Sequence, residues 1–493
     1  MKSQKEYVIK IFFWVYITLT LDFILLKLTR QIISFRRETK MKLVYDVDAK
    51  PGFNQVLVFA FQQLLAIMAA TIAVPMIISG TYDGVGEVSM SIGAALFGAG
   101  VGTLVYTLFT MRKSPVFLGS SFAFLGSMAA AFAGAASAAA GFAGLILGAV
   151  FAGLVYVIIA LIVKFAGVEW LNKLMPPVVI GPTVAIIGLS LAGNAVGDLK
   201  TANSGGAELV AIFCGLVTLL VVTLCSVYGG NKVKLIPFII GILVGFGVAA
   251  ILTAIGAATD TKELMICDFG KITALWANGV GIETFVSLPE FTFVKAFDGF
   301  KDITGGYVGT IAAAYIPVAF VVFAEHVADH KNISSIIEKD LTKDPGLHRT
   351  LLGDGIGSMA GAFFGGCPNT TYGESIACVA ITGNASVFTI MITACLAIVI
   401  SFISPVVAIL GSIPSCVMGG VCMALYGFIA VSGLKMLQPV DLSDNRNLFT
   451  ASTILIAGIG GLSLNFGAVT ITTVATALIL GIIVNIILSG KKK

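Results

Sequence analysis

The chain has 493 residues, of which 57% are hydrophobic and only 11% charged, with a mean hydropathy of +1.00. A soluble globular domain carries roughly a quarter charged residues, so this balance excludes a soluble fold and implies a polytopic helical membrane protein. The formal net charge of +4 marks no nucleic-acid surface, because the basic residues sort by membrane side and form no single patch.

Residues 1–52 precede the first expected span as an amino-terminal extension and cytoplasmic tail. Ile9 to Leu28 is largely apolar, interrupted by Lys10, Asp22 and Lys27 and followed by Arg30, Arg36, Arg37 and Lys40. No small-residue cleavage site follows it. A fifteenth span there would place the amino terminus outside, against the charge pattern described below. The expectation is therefore that Met41 is the true start, opening a short tail over 41–48.

Apolar runs of about 20 residues, enough to span a bilayer, recur from Phe53 to Leu488. In chain order they predict fourteen segments. The first seven lie near 53–78, 87–110, 115–135, 140–163, 170–192, 207–228 and 235–256. The second seven lie near 305–328, 350–365, 367–385, 387–408, 411–434, 448–464 and 467–488. The third and tenth are short and interrupted. Ser114 to Phe124 alternates like a short strand ahead of a half-helix. In Gly365 to Ser375, Pro368 removes a backbone donor, Asn369 to Tyr372 favour extended backbone, and Gly373 lets a helix restart. Bare backbone at membrane depth is tolerated only where protein buries it or it lines a cavity. Gly and Ser also serve tight helix packing. Paired breaks seven segments apart point instead to two inverted repeats of seven, with a substrate site at their meeting point. The expected fold is an all-α polytopic membrane protein with short β-strands in segments 3 and 10.

Charge sets the orientation. With the amino terminus inside, the inner loops carry Arg112, Lys113, Lys164, Lys173, Lys232, Lys234, Lys331, Lys339, Lys343, Arg349, Lys435 and Arg446, and the tail adds Lys491 to Lys493. The outer loops lean acidic, notably 257–304. This asymmetry places both termini in the cytoplasm of a multi-pass plasma-membrane protein.

Five ionisable residues stand out. Glu374 opens the half-helix after the tenth-segment break, where hydrocarbon would penalise a charge. Glu325 and Asp329 are four apart and share one helical face; His326 and His330 share the adjacent one. A carboxylate as deep as Glu325 is protonated, paired or facing a wet cavity, and an exchangeable carboxyl can carry a proton across each cycle. For Asp329 and His330 a solvated inner helix end explains the sequence equally well. The two histidines with Glu325 lack further ligands, so no metal is expected. Eight cysteines are scattered without a Cys-x-x-Cys, which suggests neither a disulfide framework nor zinc.

Glu325-His326, the Asp344-Pro345-Gly346-Leu347-His348-Arg349 loop and Asn369-Thr370-Thr371-Tyr372-Gly373-Glu374 together resemble the nucleobase–ascorbate transporter (nucleobase:cation symporter-2) family, and within it the bacterial uracil-transporting members. Gly119 to Phe124 and Pro414 to Gly420 fit the same family, over roughly 52–488. The resemblance implies a core domain of segments 1–4 (53–166) and 8–11 (305–410), and a gate domain of segments 5–7 with an outer loop (167–304) and 12–14 with the tail (411–493). It implies that Glu325 and Glu374 accept from ring N–H groups and that Phe122 stacks on the ring. Backbone N–H groups near Phe122 and Gly373 would donate to ring carbonyls. Tyr372 and Tyr426 would line the site, and Ala70 would pack beside it. Without the resemblance, Phe122 and Tyr426 read equally well as core aromatics. Glu325, with Asp329 and His326, would couple protons. The implied function is proton-coupled uracil import by alternating access, with uracil, protons and membrane lipid as partners. No cofactor and no nucleic acid are implied, and the protein would form homodimers through the gate domain. Asp329, where some uracil carriers have His, and Asp354 resemble purine carriers, so a xanthine or urate permease is the alternative. Glu374 is the pyrimidine-type residue and weighs most. An intramembrane enzyme lacks a nucleophile–base set in this sequence, and a channel would lack saturation and coupling.

Overall fold

A computed structural model of the chain describes residues 43–489, apart from 168, 235, 278, 467 and 468. The segment 9–28 and the start-site expectation lie outside the described residues.

The fold is mostly helical. The first half contains α1 (Phe53–Ile78), a hairpin of β1 (Gly80–Tyr82) and β2 (Gly86–Val88), and α2 (Ile92–Phe109). A short strand β3 (Leu118–Ser120) and one 3-10 turn (Phe122–Phe124) lead into α3 (Leu125–Ala133). Then come α4 (Ala138–Ala166), α5 (Pro177–Ser190), α6 (Ala192–Leu199), α7 (Glu208–Tyr228) and α8 (Pro237–Thr259). The second half holds α9 (Gly305–Ile337), α10 (Leu347–Gly365), strand β4 (Asn369–Thr371), α11 (Gly373–Thr382), α12 (Val387–Ser401), α13 (Ser404–Gly411), α14 (Ser415–Lys435), α15 (Asn445–Ile459), a hairpin of β5 (Leu464–Phe466) and β6 (Val469–Ile471), and α16 (Thr473–Ser489). Among the described residues eight helices are long and apolar enough to cross a membrane, and four shorter ones are apolar, α11, α12 and α16 with Phe122–Ala133. A multi-pass membrane protein follows.

Local chemistry sets many of the boundaries. Ser91 and Ser137 cap α2 and α4 by accepting from the amides of Ala94 and Ala140. Gly366 and Gly383 end α10 and α11 at positive φ, 75° and 67°, a conformation that costs glycine nothing.

The helices pack in two sets. In one, α10 lies on α2 and α4, α12 on α1 and α2, and α9 on α4. Here α2 and α10 approach through glycine: a Cβ on Gly102 would stand 2.7 Å from the Gly357 carbonyl. Such small-residue seams let backbones close up where lipid supplies no hydrophobic drive. In the other set, α14 lies on α5, α6 and α7, α7 pairs with α8, and α15 and α16 pack together on α5.

Loops expected to share a membrane side meet. Lys113 Nζ reaches Asp344 at 2.6 Å and Lys339 Nζ reaches Asp46 at 2.9 Å. On the opposite side Lys295 Nζ donates to the Ser89 carbonyl at 2.9 Å.

Three features depart from the expectation. The eighth segment does not end near 328; α9 runs 33 residues to Ile337. Asp329 and His330 are therefore interior to a helix, and a solvated helix end is ruled out for them. The eleventh segment breaks after Ser401 and restarts as α13, with Pro405 in its first turn. The two further hairpins, β1–β2 and β5–β6, were not anticipated, because strands of three residues are too short to give a period-2 signal.

Candidate substrate site

The two interrupted segments meet. Strands β3 and β4 pair antiparallel, Leu118 opposite Thr371 and Ser120 opposite Asn369. The ladder extends at both ends, with Ser121 N donating to the Pro368 carbonyl (2.9 Å) and Tyr372 N to the Phe117 carbonyl (3.1 Å). Two strands alone would leave their outer edges bare inside a membrane, at a cost of several kcal/mol per unsatisfied group. Side chains satisfy part of that edge. Thr103 Oγ1 accepts from Leu118 N (2.9 Å) and Ser375 Oγ accepts from Phe117 N (3.0 Å). Gln63, which with Gln62 interrupts the apolar run of α1, donates to the same Ser375 hydroxyl. Tyr372 folds back over β3, its hydroxyl donating to the Ser120 carbonyl at 2.9 Å. Gly119 is required beneath it, because a Cβ there would overlap the Tyr372 ring. Asn369 donates across to the Gly98 carbonyl of α2 at 3.2 Å.

Each strand delivers the chain into a helix start, the Phe122 turn and α11. The first amides of a helix have no intrahelical acceptors and carry the positive end of its dipole. Tyr372 precedes α11 without capping it through its side chain.

A cavity of about 470 Å³ lies against these helix starts. One wall comes from the strand side: Phe122, Glu325, Asp329, Thr371, Tyr372 and Glu374. The other comes from α5, α8 and α14, including Val184, Phe238 and Phe428. The cavity extends to Lys234 and Met436, on the lysine-bearing side. Within its polar wall Ser121 Oγ and Thr370 Oγ1 are buried without a hydrogen-bond partner. Thr371 Oγ1 donates to Asp329 Oδ2 at 2.7 Å, which orients that carboxylate.

Of the residues singled out from sequence, Glu325, Glu374, Phe122, Tyr372, Gly373 and Asp329 all line this cavity. Tyr426 stands one layer behind the wall, its ring edge-on to Phe122 at 5.7 Å. Ala70 is buried in α1, off the cavity, and Ala66, one turn earlier, lines it. His326 is turned away. Its Nδ1 lies 2.7 Å from Asp354 Oδ2 and its Nε2 3.0 Å from Thr350 Oγ1, both on α10. His330 stacks on it at 4.0 Å between ring centroids and reaches the Tyr106 hydroxyl of α2 at 2.7 Å. The helical faces read from the spacing are thus the observed ones: carboxylates toward the cavity, histidines into the packing with α10 and α2.

Sequence reasoning missed the Gln63–Ser375 brace, the Thr371–Asp329 bond and the Asp354 partner of His326. Gln63 in an apolar run was a readable signal. The other two join residues 42 and 28 positions apart, and no local pattern announces them. Among the described residues no group of three or more His, Cys, Asp or Glu side chains could hold a metal ion.

Known proteins fit this architecture. The chain is 37% identical over 453 residues to the uracil permease of Bacillus caldolyticus, covering 91% of this chain and 96% of that protein. It is 36% identical over 443 residues to the uracil permease of Bacillus subtilis (strain 168), covering 88% and 93%. It shares its fold, at 12% identity and a TM-score of 0.56, with the murine Solute Carrier 26 family member A9 anion transporter in the inward-facing state, over 90% of this chain and 69% of that one. The two Bacillus relatives are permeases, which agrees with a transport role rather than an enzymatic one. The profile of the family described as "Permease family" matches residues 54–467, and the chain belongs to that family, the nucleobase:cation symporter-2 permeases.

Proposed function

We propose that this permease imports uracil together with protons by alternating access. The observation that carries the reading is the convergence, in one cavity, of three carboxylates, Glu325, Asp329 and Glu374, and two helix starts. A pyrimidinedione alternates N–H donors with C=O acceptors. Glu325 and Glu374 complement the donors, and the backbone amides at the Phe122 turn and Gly373 complement the acceptors. Phe122 supplies the stacking face, held edge-on by Tyr426. The printed names of the relatives support the same substrate.

Fourteen segments in two inverted sets of seven account for the helix order, with α10 and α15 as the two less apolar crossings. The two packing sets are then the core (53–166 and 305–410) and the gate (167–304 and 411–493), with the cavity between them. Its extension to Lys234 and Met436 makes this an inward-facing arrangement in a plasma-membrane protein with cytoplasmic termini. Glu325 carries the proton, with Asp329 beside it as a second carboxylate one helical turn away. His326 holds α9 against α10 and does not touch the cavity. The protein would pair with a second copy through the gate.

Proteoliposome uptake of radiolabelled uracil tests the reading. Uptake should rise with external acidity, collapse with a protonophore, and resist competition by xanthine. Asp329 in the cavity wall favours the purine alternative, which complete competition by xanthine would establish. Uptake that survives the protonophore but requires sodium would overturn the proton assignment.

A further inference from the structure

The connection from α8 to α9 reads from its sequence as an acidic aqueous loop, but its side chains contradict that. Trp276, Val280, Ile282, Phe285, Val286 and Leu288 all stand uncovered, Ile282 at 83% and Leu288 at 78% exposure. Soluble surfaces scatter such residues singly, and a contiguous group marks a contact surface.

The stretch is also held in place. Val286 forms an antiparallel bridge with Ile403, and Ser287 N donates to the Phe402 carbonyl at 3.0 Å. Ser404 Oγ donates to the Glu283 carbonyl at 3.0 Å, and Trp276 packs edge-on against Phe285 at 6.1 Å. Its anchor is the joint between α12 and α13, where Val399 and Ile409 are themselves exposed at 57% and 46% on apolar helices. In a membrane protein the uncovered faces of such helices meet lipid. The apolar group is therefore continuous with the lipid-facing surface. It mixes aliphatic, Phe and Trp side chains with an exposed Glu283, the composition of a headgroup boundary rather than of hydrocarbon.

We propose that the described residues between Trp276 and Leu288 form an interfacial foot whose apolar side chains insert into the headgroup–acyl boundary of the adjoining phospholipid leaflet. The foot sets the depth of the only chain connection between α8 and α9.

The sequence contains three tryptophans, so Trp14→Phe with Trp170→Phe leaves Trp276 as the sole indole in the full-length chain. The protein is reconstituted in phosphatidylcholine vesicles, with and without lipid brominated near the headgroup end of the acyl chain. Trp276 emission should be blue-shifted, quenched at least twofold by the brominated lipid, and nearly unaffected by aqueous iodide. Strong iodide quenching without lipid quenching overturns the proposal. A second measurement does not depend on the double variant folding. Bimane on Ile282→Cys, corrected for labelling of the parent, should report the same brominated-lipid quenching. Intermolecular cross-linking of Ile282→Cys, with bimane shielding that vanishes on dilution of protein in lipid, would show a second copy covering this face and would equally overturn it.

Discussion

Replacing Glu374 with Gln tests the substrate reading most directly. Glu374 is the second residue of α11 and lines the cavity beside Tyr372 and Gly373. A carboxylate only accepts, so it suits a ring edge that presents N–H, whereas an amide both accepts and donates. The substitution keeps the side-chain size and touches none of the bonds that hold the strand pair, since those run through Ser375, Tyr372 and Thr103. Folding should be unchanged. What is lost is a charge-assisted hydrogen bond worth about 1.5–3 kcal/mol, which corresponds to roughly a ten- to hundredfold weaker Kd for uracil. Xanthine binding should fall less, or appear. Titration calorimetry on purified protein, with thermal shift as a check on folding, separates binding from transport. Uracil affinity equal to that of the parent would refute the assignment of Glu374 as the residue that reads the pyrimidine, and the purine reading would replace it.

Glu325→Gln should abolish the protonophore-sensitive accumulation of uracil against its gradient in proteoliposomes under an imposed inward proton gradient; accumulation at the parent's level would move proton coupling to another group. Asp354→Leu leaves His326 Nδ1 buried without its partner at 2.7 Å, so it should destabilise the protein by about 1–3 kcal/mol, read as a lower Tm in detergent. An unchanged Tm would mean the pair contributes nothing. Gly102→Val places a side chain where a Cβ already meets Asn369 Nδ2 at 2.5 Å and the Gly357 carbonyl at 2.7 Å, so a loss of about 1–3 kcal/mol is expected in the same assay. At the surface, the hydrogen bond from Lys339 holds the Asp46 carboxyl below its usual range. Its stabilisation is present above the unfolded carboxyl value of about 3.9 and is lost as pH falls through the lower folded value. Solvent screening keeps it to about 0.2–1 kcal/mol, so Asp46→Asn should lower Tm slightly at pH 7, and this difference should vanish as pH falls below the lowered folded value.

Much of this protein is determined by its sequence alone. Long apolar runs must become helices in a bilayer, because only intrahelical bonding satisfies their backbone, so the multi-pass helical class could be read from hydropathy. The breaks at Pro368 and Gly373 and the alternation over Ser114–Phe124 are local backbone chemistry, and short strands lie at Leu118–Ser120 and Asn369–Thr371. The division of α9 into a carboxylate face and a histidine face follows from the 3.6-residue repeat. Tertiary structure decided what those faces meet. The cavity wall contributed by Val184, Phe238 and Phe428, the turn of His326 toward Asp354, the position of Ala66 rather than Ala70, and the apolar foot at 276–288 all depend on contacts between residues far apart in the chain. In a membrane nearly every helix is apolar on all sides, so its sequence does not say which side faces a neighbour, a cavity or lipid. Shape complementarity and the few buried polar pairs make that choice, and they exist only once the chain has packed.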